Sequence, residues 1–116
     1  VCADAHGFVV NRSLFKKYGI PLPTDYDSFV SACQAFEKRG IRGFDADYFF
    51  DYTCMETLQG LSVSELSSAE GRKWRTAYSD PASTEKVGLD ETVWPTAFKN
   101  LEQFIHDTGL NAADLR

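Results

Sequence analysis

The chain has little of what most readily betrays a function. Of its 116 residues only three are cysteine and two are histidine. Cys2, Cys33 and Cys54 are widely spaced, include no CxxC pair, and as an odd number cannot all pair within one molecule. Cys33 falls on an apolar helical face and is expected as a buried thiol. His6 and His106 lie at opposite ends of the chain. Neither has zinc-ligand spacing, nor an obvious nucleophile in sequence to complete a triad. No GxGxxG or P-loop pattern occurs, so no nucleotide is indicated and no cofactor is expected. An apolar run of ~18 residues, the least a membrane span needs, is missing. The opening VCADAHGF has neither the charged nor the apolar region of a signal peptide. Basic residues are few: 12 Lys and Arg against 17 Asp and Glu give a net charge of −5. No run of Lys or Arg exceeds two residues, and phosphate neutralisation needs such clusters, so nucleic acid is not an expected partner.

What is present suits an ordinary globular chain. Hydrophobic residues make up 43% and charged residues 25%, and nine Phe, five Tyr and two Trp supply bulky core material. The length allows one domain with a modest core. We find no internal repeat, low-complexity tract or long linker. Because the chain opens directly into structured-looking sequence and stops as a new helix begins, it reads as a piece of a longer protein.

The most informative stretch runs from Gly7 to Phe44. Phe8, Val9 and Val10 form a short apolar, β-branched run that predicts a buried strand. Asn11 caps a short helix, Arg12 to Tyr18, with Leu14, Phe15 and Tyr18 on one face, and Gly19 ends it. Pro21 and Pro23 fix a stiff extended linker. Thr24 to Asp27 matches a capping box with Asp at the third helical position. The helix it opens runs to about Arg39, with Phe29, Val30, Cys33 and Phe36 as a half-buried stripe. Gly40 stops it, and Ile41 to Phe44 predicts a second short strand interrupted by Gly43.

Further along, DADYFFDY at positions 45 to 52 is an aromatic and acidic loop. Thr53 to Glu56, Ser62 to Glu65 and Ser67 to Glu70 are three more capping-box matches. The first opens a helix through about Leu61, with Met55, Leu58 and Leu61 inward. The second opens a short turn of helix. The third opens a helix carrying Trp74, Ala77 and Tyr78 inward and ending before Asp80-Pro81. Residues 80 to 90 have loop composition. Asp90 or Thr92 then caps the best amphipathic helix in the chain. Trp94, Ala97, Phe98, Leu101, Phe104 and Ile105 recur there at helical period over three turns. Pro95 is tolerated because it falls in the first turn. Gly109 closes the helix, and Asn111 is a cap for the next one.

The search for chemistry narrows to the acidic loop. Asp45, Asp47 and Asp51 are spaced like the start of a calcium loop, and Glu56 fits the twelfth position. The sixth position, however, is Phe50 rather than glycine, and the apolar Phe49-Phe50 centre argues against a metal. The loop instead has the parts of a sugar-binding wall. Aromatic faces stack on the apolar C–H faces of a pyranose, and carboxylates accept hydrogen bonds from its hydroxyls. Packing into the core is the alternative for each of these aromatics. Trp74 and Trp94 are assigned to the core, and His106 to the solvated side of the last helix.

The stretch GFVVNRSLFKKYGIPLPTDYDSFVSACQAFEKRGIRGF resembles the extracellular solute-binding proteins of ABC import systems, the family-one, sugar-type group. The residues that carry the resemblance are Val10-Asn11, Leu14-Phe15, Tyr18-Gly19-Ile20, Pro23-Thr24, Phe29 and Gly40-Ile41, about a third of the chain. It implies a mainly α domain with two short β-strands, the helical portion of one lobe of a two-lobed, periplasmic-binding-protein-like α/β fold. Residues 1–116 would be a fragment of the second lobe. The implied protein is not an enzyme. It is the substrate-binding component of a transporter, binding a carbohydrate or similar polar solute for ABC permease subunits. It would be extracellular or periplasmic, and held at the membrane only through a lipid anchor that this chain lacks; Cys2 does not have the preceding motif that lipidation needs. The resemblance further implies solute contacts from cleft-facing loops. DADYFFDY falls where such a loop should be, and Tyr48, Asp51 and Tyr52 are its expected ligand-binding residues. Two other classes compete: a helical protein–protein interaction module using the Trp94–Ile105 face, and a carbohydrate-active enzyme fragment using Asp45, Asp47 or Asp51 as acid and base.

Overall fold

The computed structural model describes residues 7–48, 50–85, 87–91 and 93–110, leaving aside the side chain of Asp51. The described residues form six helices. They are α1 (Arg12–Tyr18), α2 (Tyr26–Glu37), α3 (Asp51–Leu61), α4 (Val63–Ser67), α5 (Ala69–Ser79) and α6 (Trp94–Asp107). The protein is mainly helical, and no strand occurs among the described residues. It divides into two compact units: Val1–Phe49 with Ile105–Arg116, and Phe50–Phe104.

In the first unit the local signals act much as the sequence reading expects. The Asn11 side chain accepts from the Leu14 N–H at 3.2 Å, satisfying one orphan donor of α1. Gly19 ends α1 at φ 65°, a left-handed conformation that costs glycine nothing sterically. The next N–H, that of Ile20, then donates back to Phe15 O at 3.0 Å. The cap of α2 lies one residue later than expected. Asp25, not Thr24, is the N-cap: its carboxylate accepts from Ser28 N–H at 2.8 Å, and Ser28 Oγ accepts from Asp25 N–H at 3.1 Å. A hydroxyl at the third helical position closes the box as well as the expected carboxylate would. The helix ends at Glu37, slightly before Arg39, with Gly40 following at φ 69°.

The first unit's core gathers around α2. Ile20, Ala32 and Phe36 are buried, with Leu14, Phe15, Tyr18, Ala35 and Ile41 packed against them. Phe15 and Tyr18 meet Phe36 edge-on at 5.0 and 6.2 Å, the arrangement that ring quadrupoles favour. Burying Phe36 is worth roughly 1.5–3 kcal/mol. Cys33 is buried as expected. Its thiol pKa is raised, first by burial and then by the nearby Glu37 carboxylate.

The two predicted strands are not formed. Phe8–Val10 and Ile41–Phe44 carry apolar residues but have no strand beside them, and a lone segment leaves its ladder groups unmade. What brings them together is side-chain packing on α2. Phe8 stacks on Phe29 at 5.3 Å, and Phe44 meets both rings edge-on at 5.7 and 5.8 Å. Gly43, which interrupts the second predicted strand, lies against the α2 backbone. A Cβ there would come within 2.5 Å of Cys33 Cα and would strike Cys33 O. Its N–H donates to Glu37 Oε1 at 2.9 Å. The glycine therefore serves a close approach to a helix, a second meaning that an isolated glycine in an apolar run can carry.

The second unit departs further from its capping signals. α3 starts at Asp51, before the Thr53 match, and its N-cap Phe50 makes no side-chain cap bond. Ser62 precedes α4, but its hydroxyl points backward and donates to Gln59 O at 3.0 Å. Ser68, rather than Ser67, caps α5, accepting from Gly71 N–H at 3.0 Å. Met55, expected inward, is 51% exposed, while Leu58 is buried. Gly71 lets α4 and α5 touch: a Cβ would lie 2.7 Å from Leu66 Cα.

The indoles organise this second core. Trp74 is buried, and its Nε1–H donates to Gly88 O at 2.9 Å, tying residues of the 80–90 loop to α5. Trp94 meets Trp74 edge-on at 5.5 Å, and Tyr78 stacks on Trp74 at 4.7 Å while staying exposed. The stripe on α6 forms as its spacing predicts, with Ala97 and Phe104 fully buried and Leu101 half-buried. Phe98, also expected on that stripe, is 46% exposed. Gly109 follows α6 at φ 72°. Thr92 and Asn111, expected as caps, lie outside the described residues, as do Cys2 and His6. No helix among the described residues is long and apolar enough to cross a membrane.

Candidate functional site

The loop that begins after Phe44 is fixed at its start by a surface ion pair. Arg42 Nη1 donates to Asp45 Oδ1 at 3.0 Å, with both side chains more than half exposed. Such a pair is worth at most about 1 kcal/mol. Its consequence here is that Asp45 is engaged by Arg42. Tyr48 comes next, its N–H donating to Ala46 O at 3.2 Å in a tight turn. Its side chain is 7% exposed. Of the two readings open to it, core packing and a ligand wall, this burial favours the first, because a buried ring has no face to offer.

The loop then passes into α3, within the second unit. Phe50 and Tyr52 stack with ring centroids 5.6 Å apart and an interplanar angle of 21°. They are 46% and 61% exposed. Asp51 is the first residue of α3, and its side chain lies outside the described atoms. Tyr48 belongs to the first unit, and Asp51 and Tyr52 to the second.

Chemically, the exposed Phe50/Tyr52 pair is the part of this loop that presents aromatic surface. Two near-parallel rings offer an apolar platform, and the Tyr52 hydroxyl can donate and accept at its edge. Phe50 was not among the expected contact residues. The sequence carries no signal for it: residues at i and i+2 do not face each other along a helix, and the stacking depends on Phe50 staying extended, at φ −95° and ψ 128°, just before α3. Separately, Glu65 Oε2 and Trp94 Nε1, both in the second unit, are buried with no hydrogen-bond partner among the described residues. Neither polar atom was singled out by sequence, since orphaned atoms are a product of packing.

Among the described residues no group of three or more His, Cys, Asp or Glu side chains is arranged to hold a metal. The His106 side chain is 81% exposed and meets its neighbour Asp107, Nδ1 to Oδ1 at 3.1 Å, as its polar-face position suggests. Comparison of the chain with protein-family models, with curated proteins and with solved structures gives no match.

Proposed function

We propose that the chain is part of the substrate-binding component of an ABC import system. It would take up a carbohydrate or similar polar solute without catalysing a reaction. The observation that carries this reading is the residue combination between Val10 and Ile41, in which each quoted residue has a backbone or packing role. Asn11 caps α1, Gly19 terminates it with Ile20 bonded behind, Pro23-Thr24 leads into the capped α2, and Gly40-Ile41 closes the pair. In the two-lobed arrangement that the resemblance implies, the apolar Phe8, Val9 and Val10 would enter a sheet completed by the rest of the lobe. Val9, now fully exposed, would then be covered. The receptor would be extracellular or periplasmic, tethered by a lipid anchor carried elsewhere, and its partners would be the solute and the permease subunits.

The solute platform we assign is Tyr52 with Phe50, joined by Asp51, while the buried Tyr48 would hold the preceding loop in place. Thermal unfolding of the longer two-lobed protein and of this chain, against a panel of mono- and oligosaccharides, tests the assignment. Ligand at a hundredfold excess over its Kd stabilises the native state by about 2.7 kcal/mol. One sugar class should raise the midpoint of the longer protein, and Tyr52→Ala should abolish that rise. A panel in which no sugar moves either protein would remove the reading.

A second reading, a helical interaction module, is favoured by the exposed Tyr78 and Phe98 rings of the second unit. It predicts that Phe98→Ser weakens capture of a protein partner and leaves sugar response untouched.

A further inference from the structure

We draw no further inference here: the strongest candidate, the aromatic surface patch of the second unit in which Tyr78 on α5 and Phe98 on α6 stay exposed against Trp74 and Trp94, carries nothing because no feature of the structure shows what covers it.

Discussion

The two units solve the same problem by different means. In the first, helix ends are satisfied by side chains adjacent in sequence, and aliphatic and phenyl groups gather on one face of α2. In the second, none of the three Ser/Thr capping matches is used in its expected register, Ser68 capping α5 in place of Ser67, and an indole reaches across fourteen residues to hold Gly88. The second unit also keeps two buried polar atoms without a partner among the described residues. This contrast is why one part of the chain was easier to read than the other. A cap is a local competition among neighbouring hydroxyls and carboxylates. A short helix with an S-x-x-E match on several registers does not decide that competition until packing fixes where the helix begins.

The largest expected effect separates the two cores. Phe36→Ala should cost about 3–5 kcal/mol in urea unfolding, because it empties the site that Phe15 and Tyr18 close edge-on. Native-state hydrogen exchange on this variant should show faster opening first in α1 and α2. Equal loss of protection in α5 would mean that the two cores are energetically one, and the contrast between the units would fail.

A smaller effect is expected at the two glycines that allow close backbone approach. Gly43→Ala and Gly71→Ala should each cost about 1–3 kcal/mol, since the added methyl meets backbone that no rotamer can move aside. Chemical denaturation measures both. The first should loosen α2 against the following segment, the second α4 against α5. A neutral result at either position would show that backbone approach there is not what holds the pair.

The smallest effects are pH-dependent and belong to the first unit. Tyr26 donates its hydroxyl to Asp107 Oδ2 at 3.0 Å. Burial first, then that hydrogen bond and the negative charge of Asp107, push its pKa from 10.0 up to about 12. A phenol whose folded pKa is raised contributes stability that is complete below pH 10 and lost as pH climbs through 12. Because the ring is 41% exposed, water screens the interaction and the loss should be modest. Tyr26→Phe should flatten the stability profile between pH 10 and 12, and the missing late step should be visible in tyrosinate absorbance. At the acid end Asp25 behaves oppositely. Bonds from the Ser28 hydroxyl and backbone lower its pKa below the usual 3.8. Its contribution is present above pH 3.8 and lost as pH falls through the depressed folded value. Asp25→Asn, which keeps a capping oxygen but cannot titrate, should remove that acid sensitivity. An unchanged profile in either variant would show that the bond contributes nothing to folding.

Legibility followed the range of the interactions involved. The helix at Arg12–Tyr18, the stripe of α2, the end of α5 before Asp80-Pro81 and the face of α6 were all readable, because periodicity, glycine stops and proline rules act within one or two turns. The acidic loop was readable as aromatic, but not as an exposed Phe50/Tyr52 pair and a buried Tyr48. Alternation along an irregular segment gives no rule for which ring turns inward.

By itself the sequence determined the helical class, the order of the helices, the buried state of Cys33 and Trp74, and the stops at Gly19 and Gly40. Each follows from local sterics or from the one-sided spacing of apolar residues along a single helix. Only the tertiary structure decided that Phe8 and Phe44 meet on Phe29 instead of pairing as strands, and that Gly43 serves a helix backbone. It also decided that Ser62 turns its hydroxyl away from the helix it precedes. Those outcomes depend on what lies across from each residue, and a strand, a close approach or a shared hydrogen bond has no meaning until its partner is in place.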